Sequence, residues 1–206
     1  GGLPVLLALP AQAQTAAAKA PEFPGQAHTI KLGAFEVTTL LGGESMREDP
    51  IATFGIGVDP AEFERVSAEN FIPADRSGSS FTLTLVKTPD ALVLFDAGMF
   101  PENNKASLAA AGYAPGDVTH LVLTHMHPDH ILGAEVFSEA GAAILANARL
   151  SDAAAQRAAT WMQSIPEQIG AAAFAGTHFA NVDHGISQPL TVDLGRRSLH
   201  LTPVPV

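Results

Sequence analysis

Apolar and polar positions along the chain follow two periodicities, one suited to strands and one to helices. β-prone runs occupy residues 29–32 and 35–41 with Gly33-Ala34 between them, which predicts a hairpin. Runs 80–87 and 91–95 are joined through Thr88-Pro89-Asp90, a tight-turn sequence that predicts a second hairpin. Further strands are expected at 117–124, at 142–146 and at 199–206, the last interrupted by Pro203 and Pro205. Helical patterns fall among them. Residues 104–111 predict a helix stopped by Gly112, 131–140 carry helical periodicity, and an alanine-rich helix is expected from 147 to about 175, with Pro166 marking a break or a second start.

Residues 42–76 read as mostly irregular, apart from one short helix at 60–69 with Asp59 as N-cap and Pro60 in the first helical position. Such a segment suits a loop over an active site, or an ordinary long insertion. Hairpins followed by strand, helix, strand and helix imply a layered α/β (α+β) protein with helices outside.

Composition narrows the function more than the fold. With 206 residues the chain can bury one sizeable core. It has no cysteine, so any metal site is built from nitrogen and oxygen alone. A net charge of -10, from 21 acidic against 11 basic residues, lacks the basic footprint of a nucleic-acid binder. A small-molecule substrate, neutral or cationic, fits that balance better. The apolar stretch Leu3-Pro4-Val5-Leu6-Leu7-Ala8-Leu9, followed by Pro10-Ala11-Gln12-Ala13, makes residues 1–13 read as the remnant of a secretory signal peptide. That stretch is shorter than the roughly 20 residues a spanning helix needs, so no membrane insertion is expected. Residues 14–28, rich in alanine and broken by Pro21 and Pro24, read as a flexible lead, and the location as periplasmic or secreted.

The chemistry concentrates in Thr124-His125-Met126-His127-Pro128-Asp129-His130. Imidazole nitrogens and carboxylate oxygens suit zinc and similar divalent ions. Alternate positions of an extended segment point the same way, so His125 and His127 can pinch one ion while Met126 faces elsewhere. Pro128 redirects the chain, which lets Asp129 and His130 turn toward a second ion. The other histidines, His28, His120, His178, His184 and His200, are ungrouped and read as structural or exposed.

With all four positions of His-x-His-x-Asp-His filled by His125, His127, Asp129 and His130, the chain resembles the metallo-β-lactamase superfamily. Leu92-Val93-Leu94-Phe95-Asp96-Ala97-Gly98 looks like that family's strand ending beside the metal loop. Within the family the likeness is to the methyl parathion hydrolase branch, carried by Leu32 through Thr38 and by Ala111-Gly112-Tyr113-Ala114-Pro115. Ile131-Leu132 departs from the smaller or more polar pair often seen after the motif.

The resemblance implies an αββα sandwich, of which residues 29–206 form the first half, stopping before a second motif, His-x-Pro-Gly-His. It implies two zinc ions in the full-length protein, with other divalent metals admissible, and a metal-bound hydroxide that attacks small esters such as organophosphates or lactones. Asp129 would also orient the nucleophile, and Asp96 would brace the loop from outside the coordination sphere. Trp161 and Phe100 would line a hydrophobic pocket, and a homodimer is a possible assembly. The chain by itself is then expected to be inactive. Two other readings are an iron-dependent persulfide dioxygenase-type oxidoreductase of the same superfamily and a non-catalytic metal-binding fragment.

Overall fold

The computed structural model describes residues 23–174 and 177–204. The expected signal remnant, and residues 14–22 of the expected lead, lie outside the described residues. Seven strands pair in sequence order into one sheet. They are β1 (Ala27–Leu32), β2 (Phe35–Arg47), β3 (Ser77–Lys87), β4 (Leu92–Phe95), β5 (His120–Leu123), β6 (Ala143–Asn147) and β7 (His184–Ile186). The first four are antiparallel neighbours, and β4 to β7 run parallel. Both expected hairpins form. In the second, the buried Thr88 hydroxyl accepts the Ala91 N–H at 2.9 Å and fixes the turn.

The parallel strands are covered on both faces, which is why they read as continuous apolar runs. Leu94, Leu121 and Ile144 point to one side, into a core completed by Leu108, Leu132 and Phe137 from helical segments. Val93, Val122 and Leu145 point to the other, where Val192, Leu194, Leu199 and Leu201 cover them. Those last residues belong to or flank a separate two-stranded sheet, β8 (Leu190–Asp193) with β9 (Ser198–Leu201). Full burial of each Leu or Ile in these layers stabilises the fold by about 1.5–3 kcal/mol. The Arg196 guanidinium, donating to both Asp90 oxygens at 2.9 and 3.1 Å, ties the turn of the small sheet to the β3–β4 turn.

The helices are α1 (Ile51–Phe54), α2 (Pro60–Glu69), α3 (Pro101–Ala110), α4 (Pro128–Ile131), α5 (Glu135–Glu139), α6 (Leu150–Ile169) and α7 (Ala171–Phe174). Helix α2 stands where Asp59 predicts it, with the Asp59 carboxylate accepting the Ala61 N–H at 2.8 Å. The resulting layering, helices on one face of a central sheet and a small sheet on the other, is the mixed α/β architecture expected.

Several boundaries differ from expectation. Residues 42–47 are not irregular: β2 continues through a register shift between Leu41 and Gly43 and pairs as far as Arg47 with Ser77. This ribbon is rich in Gly and Ser, and its pairing comes from the partner strand rather than from local alternation. The periodic stretch 131–140 is divided, because α4 stops at Ile131 and α5 starts at Glu135. Helix α6 runs through Pro166 to Ile169 without a break, its Leu150, Ala154 and Ile165 side chains held in the core. Strands β7 and β8 carry no signal in the sequence that foretells them, being short and half polar.

Candidate metal centre

Strand β5 delivers Thr124 and His125 at its C-terminal end, beside the end of its parallel neighbour β4. Met126 packs against the core while His125 and His127 stay exposed, the alternation expected of an extended segment. Pro128 then opens α4, where its missing N–H costs nothing, and the helical turn brings Asp129 and His130 back toward the histidines. The His125 and His130 rings lie 3.8 Å apart between centroids, and His125 Nε2 is 3.2 Å from His127 Nδ1. His130 Nε2 is 3.4 Å from an Asp129 oxygen.

Asp96 anchors this loop. It follows the last residue of β4 in the left-handed region, φ 63°, which aspartate tolerates better than most side chains. Its carboxylate accepts the Thr124 N–H at 2.8 Å, the Thr124 hydroxyl at 2.9 Å, and faces His130 Nδ1 at 2.8 Å. The backbone adds two clasps. Ala97 N–H donates to His130 O at 2.7 Å and Gly133 N–H to Gly98 O at 2.8 Å. Asn104, fully buried at the start of α3, donates from Nδ2 to Ala97 O and so holds the 96–98 turn from beneath.

Partial desolvation of the largely exposed His125 imidazole lowers its pKa, reinforced by repulsion from His130 and His127 and opposed by Asp96 and Asp129. The unprotonated ring is the form that ligates a metal. Three imidazoles and the Asp129 carboxylate on one loop braced by Asp96, with no thiolate, are a donor set that fits a divalent ion of the zinc type. Among the described residues, no three of these side chains are already arranged to grip an ion. His125 Nε2 and His130 Nδ1 are instead directed at His127 and Asp96.

Among the described residues, the ring contacts of Phe100 and Trp161 are with Phe81 and Phe179. Phe100 is buried against Phe81, 5.8 Å between ring centroids, and packs on Gly43, as a residue of the core. Trp161 is half-buried on α6 and stacks on Phe179 at 6.0 Å. A cavity of about 910 Å³ does open beside His125, lined by residues of α6 and of the tail of β9 rather than by either aromatic. Those residues lie 20 or more positions from the motif, beyond the reach of any local pattern. Thr124, also not singled out from sequence, is betrayed only by standing next to His125. Among the described residues, no helix is long and apolar enough to cross a membrane.

The family model described as the metallo-beta-lactamase superfamily matches residues 82–206. Ribonuclease Z of Methanothermobacter thermautotrophicus is 40% identical over 52 residues, 25% of this chain and 16% of that protein. Metallo-beta-lactamase domain-containing protein 1 of Xenopus laevis is 37% identical over 60 residues, 29% of this chain and 26% of that one. The match therefore spans only about a sixth and a quarter of these relatives. Among solved structures, the dizinc quorum-quenching lactonase AidC superposes with a TM-score of 0.55 at 23% identity, covering 86% of this chain and 74% of that one. The hydrolase AbOPH gives 0.52 at 19% identity, covering 70% and 56%. At such identities the likeness to the two structures is one of fold.

Proposed function

Because the chain belongs to the metallo-β-lactamase superfamily, we propose that its protein is a metal-dependent hydrolase of small esters, organophosphates or lactones, using two divalent ions, zinc foremost. What supports this reading most is the placement of His125, His127, Asp129 and His130 on one loop clasped to the Asp96 turn. His125 and His127 would hold one ion, Asp129 and His130 the other. Divalent ions supply, when bound, a Lewis acid and a water of lowered pKa.

The chain's own residues divide the remaining work. Asp96 engages His130 through Nδ1, which leaves Nε2 as the ligating nitrogen and fixes the plane of the ring. Partial desolvation and its imidazole neighbours lower the pKa of His125, which favours the neutral, ligating form. Asp129 has two carboxylate oxygens, one to ligate and one to accept a proton from the attacking water. The acidic net charge of -10 favours a small substrate over a polyanion, and the same proposal includes a periplasmic or secreted location.

The test is to assay the full-length protein, loaded with zinc, on a phosphotriester, an acyl lactone and a β-lactam, beside His127→Ala and Asp129→Ala. Hydrolysis of the first or second substrate, reduced at least a hundredfold in both variants, is expected. Inactivity on all three substrates refutes the proposal, and one iron per chain with little zinc favours an oxidoreductase instead.

A further inference from the structure

Two polar side chains of α3, Asn104 and Ser107, are fully buried one turn apart, and they serve different neighbours. The Ser107 hydroxyl accepts the Gln26 N–H at 3.0 Å and donates to Leu41 O at 2.6 Å, tying the entry to β1 and strand β2 to the helix. Asn104 serves the metal loop. Its Nδ2 donates to Ala97 O, and the Ala97 N–H donates to His130 O at 2.7 Å, so two hydrogen bonds lead from the amide to the backbone of His130. Ala97 stands between two left-handed residues, Asp96 at φ 63° and Gly98 at φ 62°. Such a conformation at a residue other than glycine persists only where its surroundings hold it. Three chain segments make room for the amide that does so. A Cβ on Gly42 would stand 2.9 Å from Asn104 Oδ1, one on Gly98 3.1 Å from the same atom, and one on Gly133 2.7 Å from Nδ2. Gly42 is also where β2 shifts register, between Leu41 and Gly43. The irregular point of β2, the turn after β4 and the segment after α4 therefore meet at one planar group.

Packing alone does not account for asparagine at this position. Oδ1 has no hydrogen-bond partner among the described residues, and a buried unpaired acceptor costs stability that a hydrocarbon side chain, such as Leu108 in the next turn, does not. What asparagine adds is a flat group short enough to lie among three glycines, with a donor on Ala97 O. Resting on the metal-dependent reading above, we propose that Asn104 is a positioning residue of the metal centre. It touches the loop only through backbone, and through the two Ala97 bonds it sets where His130 lies against the Asp96 carboxylate. Without the amide the Ala97 carbonyl is left unpaired in the core, the 96–98 turn shifts, and the His130 backbone bonded to that turn shifts with it. Ser107, buried to the same degree on the same helix, makes no such link, so its loss weakens the fold and leaves the metal centre alone.

The contrast between these two neighbours is the test, made on the full-length protein with Asn104→Ala, the milder Asn104→Ser, and Ser107→Ala. Zinc affinity is measured by competition with a chromophoric chelator, and the visible spectrum of the cobalt(II)-loaded protein reports ligand geometry. Melting temperatures of the metal-free proteins report the fold. Asn104→Ala is expected to weaken zinc binding at least tenfold and to alter the cobalt spectrum, with Asn104→Ser following it in the same direction. Ser107→Ala is expected to bind zinc within threefold of wild type and to keep the wild-type spectrum, although its melting temperature falls as well. Zinc affinities that track melting temperature across all three variants overturn the proposal. So does a folded Asn104 variant with wild-type affinity and spectrum, or failure of both Asn104 variants to fold where Ser107→Ala folds. The expected zinc pattern, with no turnover of a phosphotriester, a lactone or a β-lactam by wild type, leaves the positioning role standing and overturns the hydrolase reading instead.

Discussion

The Asp96 carboxylate lies 2.8 Å from His130 Nδ1, joining the end of one strand to the helical turn that closes the loop after the next. The same carboxylate accepts the Thr124 N–H, so one side chain spans both ends of the histidine motif. Asp96→Asn keeps a side chain that tolerates the left-handed backbone while weakening the acceptor. It is expected to lower zinc affinity by about 10–100-fold with little loss of thermal stability. Competition titration against a zinc chelator measures the first, and a melting curve the second. An affinity within threefold of wild type would show that Asp96 does not position the loop.

Gly133 is where the loop is least tolerant. A Cβ there would stand 2.1 Å from Ala97 O and 2.7 Å from Asn104 Nδ2, so backbone must move. Gly133→Ala is expected to destabilise the protein by about 1–3 kcal/mol. It should also weaken metal binding, by pushing the 130–133 segment off the 96–98 turn. Urea denaturation and zinc titration of the variant check both effects.

Phe71 offers a stabilising change. It occupies the left-handed position just past α2, φ 58°, where the Ile72 N–H closes on Ser67 O at 2.9 Å and glycine is the usual residue. At 97% exposure its ring packs on nothing that a substitution would lose. Phe71→Gly is expected to raise stability by about 1 kcal/mol, seen as a higher urea midpoint.

His120 makes stability depend on pH. Burial lowers its pKa from 6.5, with repulsion from His184 adding to the effect. A lowered folded pKa means that the unfolded chain binds more protons in the window below pH 6.5. The contribution is therefore whole above that pH and is lost as the pH falls toward the folded value. His120→Gln should show a smaller drop in urea midpoint between about pH 7.5 and 5.5 than wild type.

Core packing sets the remaining expectation. Leu94 is fully buried between β3 and β5, and Leu94→Ala is expected to cost about 2–5 kcal/mol through lost burial and the cavity left behind. Equilibrium unfolding measures it, and a cost below 1 kcal/mol would mean that the sheet does not form the centre of the core.

The amino-acid sequence by itself determined the parts whose information is local. The apolar runs of β4, β5 and β6, the Asp59 cap of α2, the Thr88-Pro89-Asp90 turn and the spacing His125, His127, Asp129, His130 each sit within a few residues, so periodicity and side-chain chemistry read them directly. Tertiary structure decided what depends on partners distant in the chain. The Gly- and Ser-rich ribbon of 42–47 with 77–81 is a strand only because each half supplies hydrogen bonds to the other. Phe100 is in the core because Gly43 and Phe81 leave room for its ring, and the cavity beside His125 exists because α6 and the tail of β9 meet the same sheet edge. The motif names the donors, but whether a side chain is a wall, a ligand or a brace is settled by contacts that no local pattern encodes.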